Sequence, residues 1–174
     1  RITLAASDTV VVHTDEVLNV LRDRHGDGCR LRKLRHPVDD PVAPPLARDI
    51  ARDQMDIDAD TVLLTFGWVE PKKRYEDVVR ALPDLDEVSY LIAGEPRYDS
   101  DKQVLENVFA LANRLGVRDR VHHVGYVADE DLPALFGATD LTVVPYEQVT
   151  QSGAANTALA YHCPVLATAL PAFE

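Results

Sequence analysis

The sequence predicts an α/β fold, a doubly wound parallel sheet with helices on both faces. Three observations carry that expectation. From Thr61 onward, short β-branched runs alternate with helical patterns at the spacing of βαβ units. Several of those runs end on a glycine, as in Phe66-Gly67, Ala93-Gly94 and Val124-Gly125. The composition, 46% hydrophobic and 27% charged over 174 residues, is that of one globular domain with a sizeable core.

Taken in order, Val10 to His13 reads as a strand. Thr14, with Asp15 and Glu16 behind it, reads as the cap and first turn of a helix whose face is Val17, Leu18, Val20 and Leu21. Gly26 and Gly28 end it, and Leu31 to Arg35 gives a second short strand. Pro37 to Pro45 holds four prolines and little apolar surface, which marks a linker. Thr61 to Phe66 is a buried-type strand, followed by a helix over Tyr75 to Leu82 with Val78, Val79 and Leu82 inward. Val88 to Ala93 is the next strand. Ser100 to Leu115 is a long helix with Val104, Val108, Leu111, Ala112 and Leu115 on one face, closed by Gly116. Then come a strand at Val121 to Val124, a helix from Asp129 to Phe136 capped by Asp129, a strand at Leu141 to Val144, an Ala-rich helix from Ser152 to Tyr161, and a strand at Pro164 to Ala167.

A net charge of −11 opposes general binding to nucleic-acid backbone. It leaves room for a small anion in a locally positive pocket. Cys29 and Cys163 have no metal-ligand spacing and form no disulfide framework, which fits a reducing, cytoplasmic compartment with Cys163 as a small buried hydrophobe. No run approaches the roughly 20 apolar residues that span a membrane. Arg1 to Leu4 shows neither an initiating methionine nor a leader, and Glu174 follows closely on a strand, so both ends read as cut.

In sheets of this kind ligands sit beyond the carboxyl ends of the strands. Gly67 lets the chain turn and a ligand approach, and Lys72, Lys73 and Arg74 follow just before a helix start, where cations are unfavourable without an anion beside them. A diphosphate would supply that anion; a solvated basic turn is the alternative. Thr150, Ser152 and Gly153 enter the Ala-rich helix, where open N–H groups suit a phosphate, or where Ser and Thr serve as ordinary caps. Gly94 and Arg97 follow one strand, and Gly125, Tyr126 and Val127 another. His122 and His123 alternate on a strand and read as structural, and His162 stands at a helix end.

Several of these pieces form an ordered set. They are Phe66-Gly67-Trp68-Val69 with Lys73-Arg74; Leu91-Ile92-Ala93-Gly94; Leu115-Gly116-Val117-Arg118-Asp119-Arg120-Val121; Gly125 to Leu135; Ala138-Thr139-Asp140 through Pro145-Tyr146; and Pro164 to Thr168. Over about two-thirds of the chain, the set resembles the C-terminal, Rossmann-like half of family 4 GT-B glycosyltransferases. Residues 1–36 then correspond to a remnant of the N-terminal domain, 37–58 to the connector, with Arg35-His36-Pro37-Val38-Asp39 as the hinge, and 59–174 to a nucleotide-sugar-binding domain truncated at its end.

The resemblance implies binding of a nucleotide-diphospho-sugar donor and transfer of a hexosyl group with retained configuration. Lys73 takes the place of the lysine that contacts the diphosphate, and the Gly125-Tyr126-Val127 loop that of the base-holding segment. Two departures stand out. Trp68 occupies the position of the usual arginine, with Lys72 or Arg74 as substitutes, and Val149 and Thr157 stand where the family carries two glutamates, the second of which contacts ribose. The implied donor set is therefore Gly67, Trp68, Lys72, Lys73, Arg74, Gly94, Arg97, Tyr126, Val127, Thr150, Ser152, Gly153 and Thr157. No metal or other cofactor is implied, since fixed positive groups meet the leaving-group charge. The acceptor, whether glycan, lipid or small molecule, belongs to the N-terminal domain, as would any peripheral membrane association, so a chain of this extent is expected to bind the donor without transferring it. A nucleotide-sugar epimerase of the same fold and a non-catalytic partner subunit are the alternatives. An NAD-type domain is disfavoured, because no Gly-x-Gly-x-x-Gly opens the first helix.

Overall fold

Alternation of side chains along each strand divides the apolar residues between two cores, and that division sets the architecture. The structure, a computed structural model, describes residues 7–26 and 30–173. The readings placed on Arg1 to Leu4, Gly28, Cys29 and Glu174 lie outside the described residues. The chain divides into two compact units. One comprises the residues up to Pro37, Gln148–Ser152 and the segment from Ala169; the other comprises Val38–Glu147 and Gly153–Thr168.

In the first unit, β1 (Val10–Val12) and β2 (Leu31–Lys33) pair in parallel with α1 (Asp15–His25) between them in sequence, a single βαβ turn. Thr14 caps α1 as expected, its Oγ1 accepting from the Val17 N–H at 3.3 Å. The buried stripe is narrower than the sequence pattern: Leu18 is inside, but Val20 is exposed.

The second unit holds a five-stranded sheet of β3 (Thr61–Phe66), β4 (Val88–Ala93), β5 (Val121–Gly125), β6 (Leu141–Val144) and β7 (Val165–Ala167). All its neighbouring strands run parallel, in the order β5-β4-β3-β6-β7. The chain thus starts mid-sheet, winds outward to β5, and returns to lay β6 on the other side of β3. Leu63, Tyr90 and Ile92 point into one core with α3 (Tyr75–Ala81) and α4 (Lys102–Arg114), while Val62, Leu64, Leu91 and Ala93 point into the other with α5 (Leu132–Ala138) and α6 (Gly153–Ala160).

Three details differ from the sequence reading. A further helix, α2 (Arg48–Gln54), follows the proline-rich stretch and packs on α5. The contact is close because Gly137 has no side chain: a Cβ there would stand 2.5 Å from the Leu46 carbonyl oxygen. Arg52 fastens the same helix to the start of β6, donating to Asp140 Oδ2 at 2.5 Å, and that carboxylate oxygen also accepts from the Val62 N–H at 2.7 Å. Second, Asp129 is not a helix cap. Asp129–Asp131 form a 3₁₀ turn that no side chain caps, and the α-helix proper begins at Leu132, with Pro133 in its first turn, where a missing N–H costs nothing. Third, α4 starts after a 3₁₀ turn at Asp99–Asp101, with Asp101 Oδ2 accepting from the Tyr98 N–H at 3.2 Å. Cys163 is buried as expected, in contact with Thr142 Oγ1 at 3.3 Å.

Candidate functional site

A parallel sheet collects the carboxyl ends of its strands on one rim, and the crevice opens where consecutive crossovers run in opposite directions. Here that point lies between β3 and β6. The loops leaving these two strands are joined by a backbone bond, from the Glu147 N–H to the Lys72 carbonyl at 2.9 Å. On the other side of β3, the loops after β3 and β4 run together: the Val69 N–H donates to the Glu95 carbonyl at 2.8 Å, and Val69 and Pro96 form a short parallel bridge.

Glycines make this approach feasible. Gly94 has φ 139°, and a Cβ on it would stand 2.3 Å from the Gly67 carbonyl oxygen. Gly67 has φ 88°, and a Cβ on it would stand 3.2 Å from Lys73 Nζ and 3.8 Å from Ala154 Cβ, so both pack closely over the bare glycine. The strand end, the lysine and the first turn of α6 therefore meet at one place.

Lys73 reaches that place through the 3₁₀ turn Pro71–Lys73, which folds its side chain back under the end of β3. The residue is only 5% exposed. Its ammonium donates to the Phe66 carbonyl at 2.6 Å and lies 5.6 Å from the centre of the Tyr146 ring. Burial, opposed by the charge of Glu70 and aided by that of Lys72, lowers its pKa to about 8. A buried ammonium with one carbonyl partner retains donor capacity for an anion.

The neighbouring cations, two from the turn and one from the loop after β4, do not join it. Lys72 Nζ lies 3.1 Å from Glu70 Oε2, and Arg97 NH1 lies 3.3 Å from Glu70 Oε1. Arg74 adopts φ 50°, in the left-handed region, and pairs with Asp77 at 2.7 Å. Carboxylates of the protein itself thus relieve the crowding of positive charge at this helix start. Burial pushes the Glu70 carboxyl up, but Lys72 and Arg97 outweigh it and hold it below its ordinary value.

Trp68 is 55% exposed and Tyr126 74%, so the loops after β3 and β5 each present an aromatic ring to solvent. Val127 packs against the second core. His123 bonds the Gly94 carbonyl at 2.7 Å, which supports its structural reading, and His122 is exposed. The Thr157 hydroxyl donates to the Gly153 carbonyl at 3.0 Å within α6. Thr150 and Ser152 lie on the Gln148–Ser152 segment, which groups with the first unit, whereas Gly153 opens α6 in the second. The structure thus gathers Gly67, Lys73, Gly94 and the start of α6, and it sends Lys72, Arg97 and Arg74 to carboxylates. Sequence reasoning missed Glu70, Tyr146 and Ala154. For Glu70 the signal was present: a lone acid directly ahead of Pro71-Lys72-Lys73-Arg74. Among the described residues, no cluster of His, Cys, Asp or Glu is placed to hold a metal ion, and no helix is long and apolar enough to cross a membrane.

Similarity to known proteins bears on the family and the fold. A D-inositol 3-phosphate glycosyltransferase of Mycobacterium sp. (strain KMS) is 30% identical over 166 residues, covering 94% of this chain and 38% of the relative. The chain therefore spans well under half the length of that curated relative. Among solved structures, Anabaena HepE in complex with UDP and glucose superposes with a TM-score of 0.79 at 19% identity, covering 92% of this chain and 44% of that one. Sucrose-phosphate synthase from Thermosynechococcus elongatus gives 0.80 at 24% identity, covering 96% and 42%. Residues 60–174, most of the chain, match the family described as Glycosyl transferases group 1. The chain belongs to that family, and its five-stranded parallel sheet is that of one Rossmann-like half of a GT-B glycosyltransferase fold.

Proposed function

We propose that the second unit is the donor site of a glycosyltransferase, holding a nucleotide-diphospho-sugar with its diphosphate between Lys73 and the amino end of α6. The observation that carries this reading is the convergence at Gly67, where a Cβ would stand 3.2 Å from Lys73 Nζ and 3.8 Å from the Ala154 methyl. A buried cation and the positive end of a helix converge there from opposite sides of the switch point. The solved relative HepE was crystallised with UDP-glucose, which supports the same class of ligand.

The chemistry follows from the leaving group. Breaking the bond between the sugar's anomeric carbon and the diphosphate leaves negative charge on phosphate oxygen. Lys73 and the positive amino end of α6 are fixed groups that favour that charge and need no reorganisation as it develops. The reading extends to transfer of a hexosyl group with retention, onto an acceptor held by a separate N-terminal domain. In that reading Trp68 lines the rim in place of a cation, and Tyr126 and Val127 border the base.

Calorimetric titration with UDP, GDP and ADP tests it. At least one should bind, and Lys73→Ala should weaken that binding by tenfold or more, since a charge-assisted hydrogen bond contributes about 1.5–3 kcal/mol. An unchanged Kd would remove Lys73 from the site, and no binding of any nucleotide would favour a non-catalytic role.

A further inference from the structure

Lys72 and Arg97 lie on loops that leave different strands, yet they share one carboxylate, that of Glu70. The Glu70 side chain is 17% exposed, so its charge is costly without those partners. The Glu70 backbone is built into the same structure, since its carbonyl accepts from the Lys73 N–H at 3.1 Å and starts the turn that delivers the lysine. The preceding residue, Val69, is fully buried and bonded to the loop after β4. We propose that Glu70 is a positioning residue of the donor site, tying the Lys73 turn to the loop after β4 and setting its carboxylate charge within the turn that delivers Lys73. This rests on the donor-site reading and adds to it a residue that acts through Lys73.

The surroundings of Lys73 leave Glu70 as the carboxylate that acts on it. From its own turn come Glu70, which favours the ammonium, and Lys72, which disfavours it. The loop after β6 presents the Tyr146 ring, and α6 brings the uncharged Ala154. Arg74 is engaged by Asp77, and the charge of Glu147 acts on Arg74.

The test follows the titration of the Lys73 ε-methylene by NMR in the unliganded protein, with its signal assigned by its loss in Lys73→Ala. Glu70→Gln keeps the shape and removes the charge, so Lys73 should lose its proton at lower pH than in the wild type. Lys72→Ala removes a like charge and frees Glu70 from one partner, so Lys73 should titrate at higher pH. Opposite shifts in the two variants are the expected result, and should Glu70→Gln fold poorly, adding it to Lys72→Ala, where Lys72 is no longer left unpaired, should lower the titration relative to Lys72→Ala. An unmoved titration in Glu70→Gln, or shifts of the same sign in both, would overturn the proposal. A role confined to holding the loops would lower thermal stability without moving the titration. Nucleoside-diphosphate binding, measured across the same pH range, should weaken several-fold at pH 8 in Glu70→Gln. If the wild type binds no nucleotide the donor reading falls, while the NMR comparison still decides whether Glu70 governs Lys73.

Discussion

Lys73 is the residue on which the proposed donor site turns, and its burial makes it sensitive to pH. In the unfolded chain a lysine keeps its proton to about pH 10.5, whereas in the fold Lys73 keeps it only to about 8. Between those values the unfolded chain binds the extra proton, so the stability contributed by this residue rises with pH across that window. Anion binding has the opposite dependence. A diphosphate favours the ammonium, so its affinity should fall as pH rises through about 8, with proton uptake on binding. Calorimetry in buffers of different ionisation enthalpy measures that uptake directly, and a pH-independent affinity between 7 and 9 would contradict it. Gly94 makes an equally local demand. A Cβ there would stand 2.3 Å from the Gly67 carbonyl oxygen, at a φ that disfavours other residues. Gly94→Ala should cost about 1–3 kcal/mol in a denaturant melt, and it should weaken nucleotide binding because Gly67 must move. The sequence marked both positions, because strand-terminal glycines and basic turns are local signals. It did not reveal which cations would be neutralised. Lys72, Lys73 and Arg74 are adjacent in the chain, but one turn of backbone sends them to Glu70, the protein interior and Asp77 respectively.

The elements were legible in proportion to how regular their burial is. Strands β3, β4 and β6 lie where their β-branched runs placed them, because a strand covered on both faces is apolar throughout. Helix α4 was recognisable from Val104, Val108 and Ala112, which share one face. Helix α2 was not, because Ala51 is its only buried residue and seven residues carry too little period to stand out. It forms through tertiary contacts, with Arg52 on Asp140 and Gly137 beneath Leu46. Gly137→Ala should therefore separate α2 from α5 and lower stability by about 1–3 kcal/mol. Nucleotide affinity should be unchanged, because this contact lies away from the strand ends that carry Lys73. A thermal melt alongside a binding titration separates the two effects.

At the scale of the whole molecule, the sheet order β5-β4-β3-β6-β7 explains why a functional reading was feasible at all. Lys73 and the start of α6 are about 80 residues apart in sequence, and the reversal of winding between β3 and β6 makes them neighbours. The alternation of strands and helices predicted that reversal as a class of fold. The grouping of Gln148–Ser152 with the first unit had no counterpart in the sequence, since it depends on contacts between distant segments. Parallel strands also leave a second rim, at their amino ends, where Arg52 and Arg48 converge on Asp140. Because that rim is remote from the glycines, it offers an attachment face. Coupling to a sensor surface through that rim would leave the strand ends, where the donor is proposed to bind, open to solution.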